Sequence, residues 1–393
     1  MTMIKKLLLT AALAPIALFA EDIKITHGPY VHAIDENSAT IVWTTNKPAI
    51  SWAEIAPDDG SHFYQQEREK IFESPLGKKR ISKLHRIKVE NLKPATTYNY
   101  RVFSTEVTKQ VGTRAFYGNT ASTRVYKKDP PKLKTADFAK EKIKFSVVND
   151  IHEDNPRLAS LMTQIPEDSD FMALNGDMVT EMVSEDQVMK GFVDTIVKNT
   201  NLPLYFIRGN HETRGMFSEE FMNYFPTPTG KPYYTFKYGP VFFIVLDSGE
   251  DKPDSDIEYY GRADFDKYRT EQAKWLQEVV KTEDFKNAAV KIVITHIPPA
   301  WGDWHGSIDF RRKFAPILNG TGIDLILSGH LHRYELYPAN TNGFDATNIV
   351  NSNMEMMNIT VDKNEIKVDF ITTDGKKTSE ARPSHVYKVK SSK

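Results

Sequence analysis

Residues 204–212 read LYFIRGNHE: four apolar residues and an arginine are followed by glycine, asparagine, histidine and glutamate. A short apolar run without alternation is typical of a strand that is buried on both faces of a sheet. Asn210 and His211 therefore stand directly after a predicted buried strand, and both are side chains that can bind a metal ion or take part in catalysis. The order of strand and then polar group guides the interpretation of the rest of the chain.

The same order recurs several times between residues 143 and 332. Short apolar runs alternate there with helical patterns, which indicates βαβ units and a largely parallel or mixed sheet. The predicted strands are Ile143–Val148, Phe171–Leu174, Leu204–Ile207, Val241–Leu246, Lys291–Thr295 and Ile323–Leu327. Five of them are followed by candidate ligands or acids, namely Asp150, His152, Asp177, Asn210, His211, His296, His330 and His332. Because the carboxyl ends of strands in an open α/β sheet line one crevice, we expect these groups to converge.

The spacing inside the motifs supports a shared site. Asp150 and His152, like His330 and His332, are two residues apart, and in extended chain such residues point to the same side. Glycines that precede three of the motifs let the backbone turn sharply and approach its neighbours closely. These glycines are Gly176, Gly209 and Gly329.

The number of candidate ligands favours two metal ions. Seven ligands exceed the usual set for one ion, and the chain has no cysteine to supply a thiolate. Two divalent ions carry four positive charges, of which Asp150 and Asp177 neutralise two. The remaining charge suits a phosphate group and a bridging hydroxide, which is how two-metal sites serve phosphoryl chemistry.

Together these motifs resemble the calcineurin-like metallophosphoesterase superfamily, from about Lys142 to a predicted C-terminal hairpin of Met357–Val361 and Ile366–Ile371. The resemblance implies that residues 142–393 form a four-layer α/β/β/α domain that hydrolyses phosphate esters. It implies a first metal bound by Asp150, His152, Asp177 and His332. It implies a second metal bound by Asp177, Asn210, His296 and His330. His211 would be the acid, and a metal-bound hydroxide would be the nucleophile.

Residues 21–126 read as all-β, with short strands predicted at 38–44, 50–55 and 85–89. Tyr98 follows a proline-containing corner, as in the tyrosine corner of immunoglobulin-like sandwiches. This part resembles a fibronectin type III domain and, through Trp43 and its neighbours, the N-terminal domain of purple acid phosphatases. Residues 127–141, rich in lysine, aspartate and proline, are predicted to be a linker. The expected fold class is thus mixed α+β and α/β, a fibronectin III-like sandwich followed by the phosphoesterase domain.

The first twenty residues are predicted to be a signal peptide. Lys5 and Lys6 precede an apolar run of 13 residues from Leu7 to Phe19, and the small Ala20 follows. A bilayer span needs roughly 20 apolar residues, so an uncleaved anchor is the weaker alternative. We expect a secreted or periplasmic protein with no membrane anchor after cleavage.

The metal site departs from that of purple acid phosphatases, which place a tyrosine three residues after the bridging aspartate. Here Asp177 is followed by Met178, Val179 and Thr180, and His152 offers an imidazole instead. An imidazole disfavours Fe³⁺ relative to a phenolate. We therefore predict a colourless enzyme with two divalent ions such as Mn²⁺, Zn²⁺ or Fe²⁺, and no Fe³⁺ with tyrosinate.

The substrate is less defined than the metal site. Arg214 could contact a phosphate oxygen or form a surface salt bridge, and Trp301 and His305 could contact a leaving group or only pack in a loop. Arg311 and Arg312 are expected on a helix surface. A net charge of −1 gives no basic surface for a stable nucleic-acid partner. The leading hypothesis is hydrolysis of small phosphate esters, by a phosphomonoesterase like the acid phosphatases. The alternatives are a phosphodiesterase or nucleotidase, and a non-catalytic exported binding or adhesion protein with a vestigial metal site.

Overall fold

The computed structural model describes residues 21–124, 130–373 and 382–390. The predicted signal peptide and part of the predicted linker lie outside these residues. The N-terminal part is built from strands, which are β1 (Ile25–His32), β2 (Ala39–Pro57), β3 (Ile71–Phe72), β4 (Ile81–Val89), β5 (Thr97–Val111), β6 (Arg114–Ser122) and β7 (Lys132–Lys134).

Strand β2 is 19 residues long and organises the N-terminal strands. Its first half pairs with β1 and β4, and its second half pairs with β5, all antiparallel. The two strands predicted at 38–44 and 50–55 are therefore parts of one strand. Trp43 is fully buried and donates Nε1–H to Ser104 Oγ over 2.9 Å. The backbone N–H of Lys93 donates to Tyr98 Oη over 2.9 Å, which is the bond expected of a tyrosine corner.

The remaining part contains twelve strands and seven α-helices within the described residues. The strands are β8 (Lys142–Val148), β9 (Phe171–Asn175), β10 (Leu204–Ile207), β11 (Tyr234–Tyr238), β12 (Val241–Leu246), β13 (Val290–Thr295), β14 (Leu325–Ser328), β15 (Glu335–Tyr337), β16 (Thr347–Val350), β17 (Glu355–Asp362), β18 (Glu365–Thr372) and β19 (His385–Lys388). The helices are α1 (Asn155–Met162), α2 (Glu185–Val188), α3 (Asp194–Asn199), α4 (Phe221–Tyr224), α5 (Phe265–Val279), α6 (Glu283–Asn287) and α7 (His305–Leu318). The six strands predicted here and the C-terminal hairpin are confirmed to within two residues. None of the helices in the described ranges has the length and apolar character needed to cross a bilayer.

Two sheets pack face to face in the second part. One runs β19-β18-β17-β8-β9-β10, with β8, β9 and β10 parallel, and the other runs β11-β12-β13-β14-β16-β15. The rings of Phe145 and Phe243, one from each sheet, lie 5.4 Å apart in the apolar layer between them. Helices α1 to α4 cover the outer face of the first sheet, and α5 to α7 cover the second. The layers thus run helix, sheet, sheet, helix, in the order predicted.

The N-terminal strands continue the first sheet instead of standing apart from it. Strand β1 pairs in parallel with β10 through His32 and Leu204. Strand β7 lies inside the stretch predicted to be a linker, yet it pairs with β5. Residues 132–134 therefore belong to the sheet, which corrects the linker interpretation for these residues. The domain boundaries themselves stay a prediction.

The apolar face formed by Trp275, Leu276, Val279 and Val280 predicts a helix from about Glu271 to Val280, with Thr270 as its N-cap. Helix α5 begins six residues earlier, at Phe265. Thr270, predicted to be its N-cap, lies inside the helix and donates its hydroxyl to the Asp266 carbonyl over 2.8 Å. A threonine inside a helix can donate its hydroxyl to the carbonyl four residues earlier, so a threonine does not by itself mark a helix start. The first turn is instead capped from Asp254, whose carboxylate accepts the backbone N–H groups of Phe265 and Asp266 over 2.9 and 3.1 Å.

Candidate metal centre

The motifs that follow β8, β9, β10, β13 and β14 converge, as predicted. Their ligand atoms form three overlapping groups, and within each group all of the atoms lie within 4.8 Å of one another. The groups are Asp150, His152 and His332; His152, Asp177 and His211; and Asp177, His296 and His330. Because His152 and Asp177 each belong to two groups, the three form one continuous site.

The first group has the spacing of two imidazoles on one ion. The Nε2 atoms of His152 and His332 lie 3.2 Å apart, and His332 Nε2 lies 3.3 Å from Asp150 Oδ1. Imidazole nitrogens bound tetrahedrally at about 2.0–2.1 Å from a cation are roughly 3.4 Å from each other. Burial lowers the pKa of His152, which keeps its imidazole in the neutral form that binds metals.

The other end of the site is fully buried. His296 donates Nδ1–H to the Asn175 carbonyl over 2.7 Å, which leaves Nε2 directed at Asp177 Oδ2, 2.9 Å away. Neither His296 Nε2 nor Asp150 Oδ1 has a partner in hydrogen-bond geometry, although both are buried. Such atoms need a partner, and a cation between them would supply one. The residues present therefore fit a metal.

The electrostatics also favour a cation at this end. Burial opposes a charge on His296, but Asp177 and Asp150 outweigh it and raise the pKa of His296 to about 10. Burial likewise opposes ionisation of Asp177, yet His296 holds the pKa of this carboxyl well below its usual range. Burial, together with His296, lowers the pKa of His330 to about 4, and its Nδ1 lies 3.0 Å from Asn210 Oδ1. The carboxylates attract positive charge while His330 and Asn210 offer neutral ligand atoms.

Comparison with known proteins agrees with this geometry. Residues 143–334 match the family model described as calcineurin-like phosphoesterase. This segment is a calcineurin-like phosphoesterase domain. The mouse serine/threonine-protein phosphatase CPPED1 is 26% identical over 174 residues, which cover 42% of this chain and 53% of that protein. The chain thus matches about half the length of this curated relative.

Two purple acid phosphatases extend the likeness beyond the phosphoesterase domain. Purple acid phosphatase 18 of Arabidopsis thaliana is 22% identical over 334 residues, 77% of this chain and 64% of that protein. The structure of purple acid phosphatase PPD1 from yellow lupin (Lupinus luteus) seeds has a TM-score of 0.64 and 14% identity, and the match covers 91% of this chain and 73% of that one. At this identity the likeness shows the fold alone.

The backbone of the phosphoesterase domain is strained where it carries candidate ligands. A positive φ, which side chains other than glycine seldom adopt, occurs at Asp150, His152, Asp177, His330 and His332, with values from 47° to 73°. The assumption that the paired residues share a side because the chain is extended is therefore wrong. The chain leaves each strand through left-handed turns, and these turns direct the side chains into the site.

Glycines in the motifs allow close contacts, as predicted. A Cβ on Gly209 would lie 2.2 Å from Asp177 Oδ1, and a Cβ on Gly176, at φ 80°, would lie 2.4 Å from His296 Nδ1. Any side chain at these positions would displace a candidate ligand.

Glu212 supports the site, although no role was predicted for it from the sequence. Its buried carboxylate accepts backbone N–H groups from Gly209, Asp177 and Met178 over 2.8–2.9 Å. Burial and the charge of Asp177 raise the pKa of Glu212 to about 7. Glu212 thereby ties the loop after β9 to the loop after β10. Its place in the GNHE motif was a signal, but its partners are not evident from the sequence.

Asn149 is a second residue that sequence reasoning missed. It donates Nδ2–H to Asp150 Oδ2 over 2.6 Å, and the His330 backbone N–H donates to the same oxygen over 2.8 Å. Asn149 is itself held by Asn351, which donates Nδ2–H to its Oδ1 over 2.7 Å. These bonds fix one oxygen of Asp150 and leave Oδ1 for a metal.

His211 lies at the open side of the site, next to Arg214. It donates Nδ1–H to the Thr180 carbonyl over 2.6 Å, so that Nε2 lies 3.8 Å from Asp177 Oδ2. Arg214 is held by two nitrogens against buried Glu250, over 2.8 and 2.9 Å, and its Nη1 lies 3.4 Å from His211 Nε2. Arg214 is therefore beside the site and is not a free surface residue, while its contact with phosphate stays a prediction.

The two remaining candidates for substrate contact, Trp301 and His305, differ in their distance from the metal centre. The ring of Trp301 lies 5.9 Å from the ring of His330, which places this side chain at the metal centre. His305 instead binds Asp266, with Nε2 within 2.9 Å of both carboxylate oxygens. Among the described residues His305 is in none of the metal-binding groups. The structure thus brings Trp301 to the site but not His305.

Proposed function

We propose that this chain hydrolyses phosphate monoesters at a centre of two divalent cations. The observation that carries the proposal is the set of three overlapping ligand groups, of which the first two share His152 and the last two share Asp177. A carboxylate shared between two groups is what a bridging ligand requires. The phosphatases among the similar proteins support the same reaction class.

Each residue of the site has a part in this reaction. Asp150, His152, Asp177 and His332 would hold one cation, and Asp177, Asn210, His296 and His330 the other. Bound cations would supply an activated water and neutralise charge on the phosphate. His211, oriented by the Thr180 carbonyl, would as the imidazolium donate the proton on Nε2 to the leaving oxygen and become neutral, with Nδ1–H kept on the carbonyl. Arg214, whose Nη1 lies 3.4 Å from that nitrogen, would contact the phosphate.

We propose Mn²⁺, Zn²⁺ or Fe²⁺ as the metals and expect a colourless protein. The support is the imidazole of His152 in the first group and Met178, Val179 and Thr180 where purple acid phosphatases have their tyrosine. Metal analysis and a visible spectrum of the purified protein test this. A strong charge-transfer band would contradict it.

The activity is tested by hydrolysis of 4-nitrophenyl phosphate and bis(4-nitrophenyl) phosphate, with Mn²⁺ and with a chelator. We expect chelator-sensitive turnover that favours the monoester. Asp177→Asn should abolish it, whereas Asp284→Asn, at an exposed position on α6, is the matched control. Preferred turnover of the diester or of nucleotides would favour a phosphodiesterase or nucleotidase. No turnover of any of these would favour the binding-protein alternative.

We further propose that the protein is exported and that residues 21–126 form a fibronectin III-like domain. The support is the signal-peptide pattern of residues 1–20, the all-β composition of β1 to β7, and the Lys93–Tyr98 bond. N-terminal sequencing of the exported protein should begin at Glu21. An intact N-terminus in the membrane fraction would support the uncleaved anchor instead.

A further inference from the structure

An aromatic strip begins at the metal centre and extends outward from it. The ring of Trp301 lies 5.9 Å from His330 and 5.4 Å from the ring of Trp304. Trp304 is 45% exposed, and so is Ile308, whose backbone N–H donates to the Trp304 carbonyl. A contiguous exposed apolar patch that is rimmed by polar groups often marks a ligand-binding groove.

The loop that carries these tryptophans is held in place by Arg311. Its Nη1 donates to the carbonyls of Pro299 and Trp301 over 3.2 and 3.1 Å, and its Nη2 donates to the Gly302 carbonyl over 2.9 Å. The Arg311 side chain is only 16% exposed, so the expectation that it lies on the helix surface is wrong. Arg312, which follows it, is 73% exposed, as expected. A loop fixed in advance loses little conformational entropy when a ligand binds to it.

The charges around the strip limit what it can bind. Asp251 Oδ2 lies 3.8 Å from His330 Nε2, and Glu250 is buried beside it. Arg214 already pairs with Glu250. Acidic groups on this side repel a leaving group with further negative charge, such as the remaining phosphates of a nucleoside triphosphate. An uncharged planar group fits better.

We propose that Trp301 and Trp304 form a stacking platform for the aromatic leaving group of an aryl phosphate monoester. Trp301 adjoins a candidate metal ligand, so the ring that it contacts is the one joined directly to the ester oxygen. Trp304 lies one ring farther out and contacts the outer part of a larger aryl group. Arg311 is a positioning residue that acts through the loop. This inference rests on the proposed function for the location of the phosphate.

The test compares phenylphosphonate with cyclohexylphosphonate, two inhibitors that resist hydrolysis and differ mainly in aromaticity. Their Kd values are measured by calorimetry in the presence of Mn²⁺, and their Ki values in the phosphatase assay. We expect the full protein to bind phenylphosphonate roughly 2- to 10-fold more tightly, the amount that an aromatic pair contributes. Trp301→Ala should bring the ratio of the two constants to about one. Equal constants in the unaltered protein would overturn the platform.

Further variants separate stacking from a structural effect. Trp304→Ala should weaken the binding of 2-naphthylphosphonate more than the binding of phenylphosphonate. Arg311→Gln should raise the Ki and KM of aryl ligands with little change in kcat, whereas Arg312→Gln should change neither. If Arg311→Gln weakened the binding of phenylphosphonate and cyclohexylphosphonate equally, or lowered kcat alone, the positioning role of Arg311 would be contradicted. Because calorimetry needs no turnover, aryl discrimination without hydrolysis would contradict the proposed function and leave the platform supported.

Discussion

The Nε2 atoms of His152 and His332 lie 3.2 Å apart although 180 residues separate them in the chain. They come from the loops after β8 and β14, strands that belong to different sheets. Two basic nitrogens this close repel unless a proton or a cation lies between them. The packing of the two sheets therefore creates a site for positive charge that neither sheet has alone.

Replacing His332 tests this site. His332→Ala should lower the metal content from two ions toward one, with at least about a tenfold loss of metal affinity. Removing a residue that only hydrogen-bonds to a metal ligand already lowers the affinity by that much. Metal analysis after dialysis measures it. His305→Ala is the control, because His305 binds Asp266 instead. Two retained ions in His332→Ala would contradict the assignment.

Glu212→Gln should destabilise the fold by about 1–3 kcal/mol. The amide can accept with one oxygen only, and its NH₂ group would oppose a backbone N–H that Glu212 now satisfies. Urea unfolding in a chelator measures the change without a contribution from metal binding. Glu181→Gln, at an exposed position, should have little effect. A similar loss in both variants would argue against the role of Glu212 in joining the two loops.

Gly209→Ala should abolish metal binding, because the new Cβ would lie 2.2 Å from Asp177 Oδ1 and would displace this carboxylate. We also expect a loss of about 1–3 kcal/mol in the free energy of unfolding, as for an overpacked site. Gly230→Ala provides a contrast, since a Cβ there meets nothing within 4 Å and only its positive φ is unfavourable. That control should lose about 1–2 kcal/mol of stability while it keeps both metals.

Acid should destabilise the protein through His32. Its ring donates Nδ1–H to the Pro226 carbonyl and accepts the Phe206 N–H at Nε2, so it is held neutral. Burial lowers the pKa of His32 to about 4 from the ordinary 6.5. Below pH 6.5 the unfolded chain binds a proton that the folded protein refuses until about pH 4. As the pH falls from 6.5 to 4, the free energy of unfolding should therefore decrease by about 3 kcal/mol in total. Above pH 6.5, His32 should make no pH-dependent contribution.

His32→Gln isolates this contribution, because glutamine can donate and accept in the same places without titrating. Urea unfolding between pH 7 and pH 4.5 should show a shallower slope for this variant than for the unaltered protein. Parallel slopes would mean that other groups account for the acid sensitivity.

The sequence by itself determined eight of the twelve strands described after residue 141 and the identity of the candidate ligands; β11, β15, β16 and β19 were not predicted. Both are local properties: a buried strand needs an uninterrupted apolar run, and each ligand follows such a run directly. The start of α5 was predicted wrongly because its cap comes from Asp254, eleven residues before the first helical residue. Thr270 offered a plausible local cap, and no local pattern excluded it.

Only the tertiary structure decided how the site is supported. Glu212 reaches Asp177 across 35 residues, and Asn351 reaches Asn149 across 202. Arg311 holds the tryptophan loop from inside a helix whose pattern predicted an exposed surface. Hydrogen bonds of this kind depend on which loops the two packed sheets bring together. The local sequence determines which residues can bind metal, whereas the packing of the sheets determines which buried groups hold them in place.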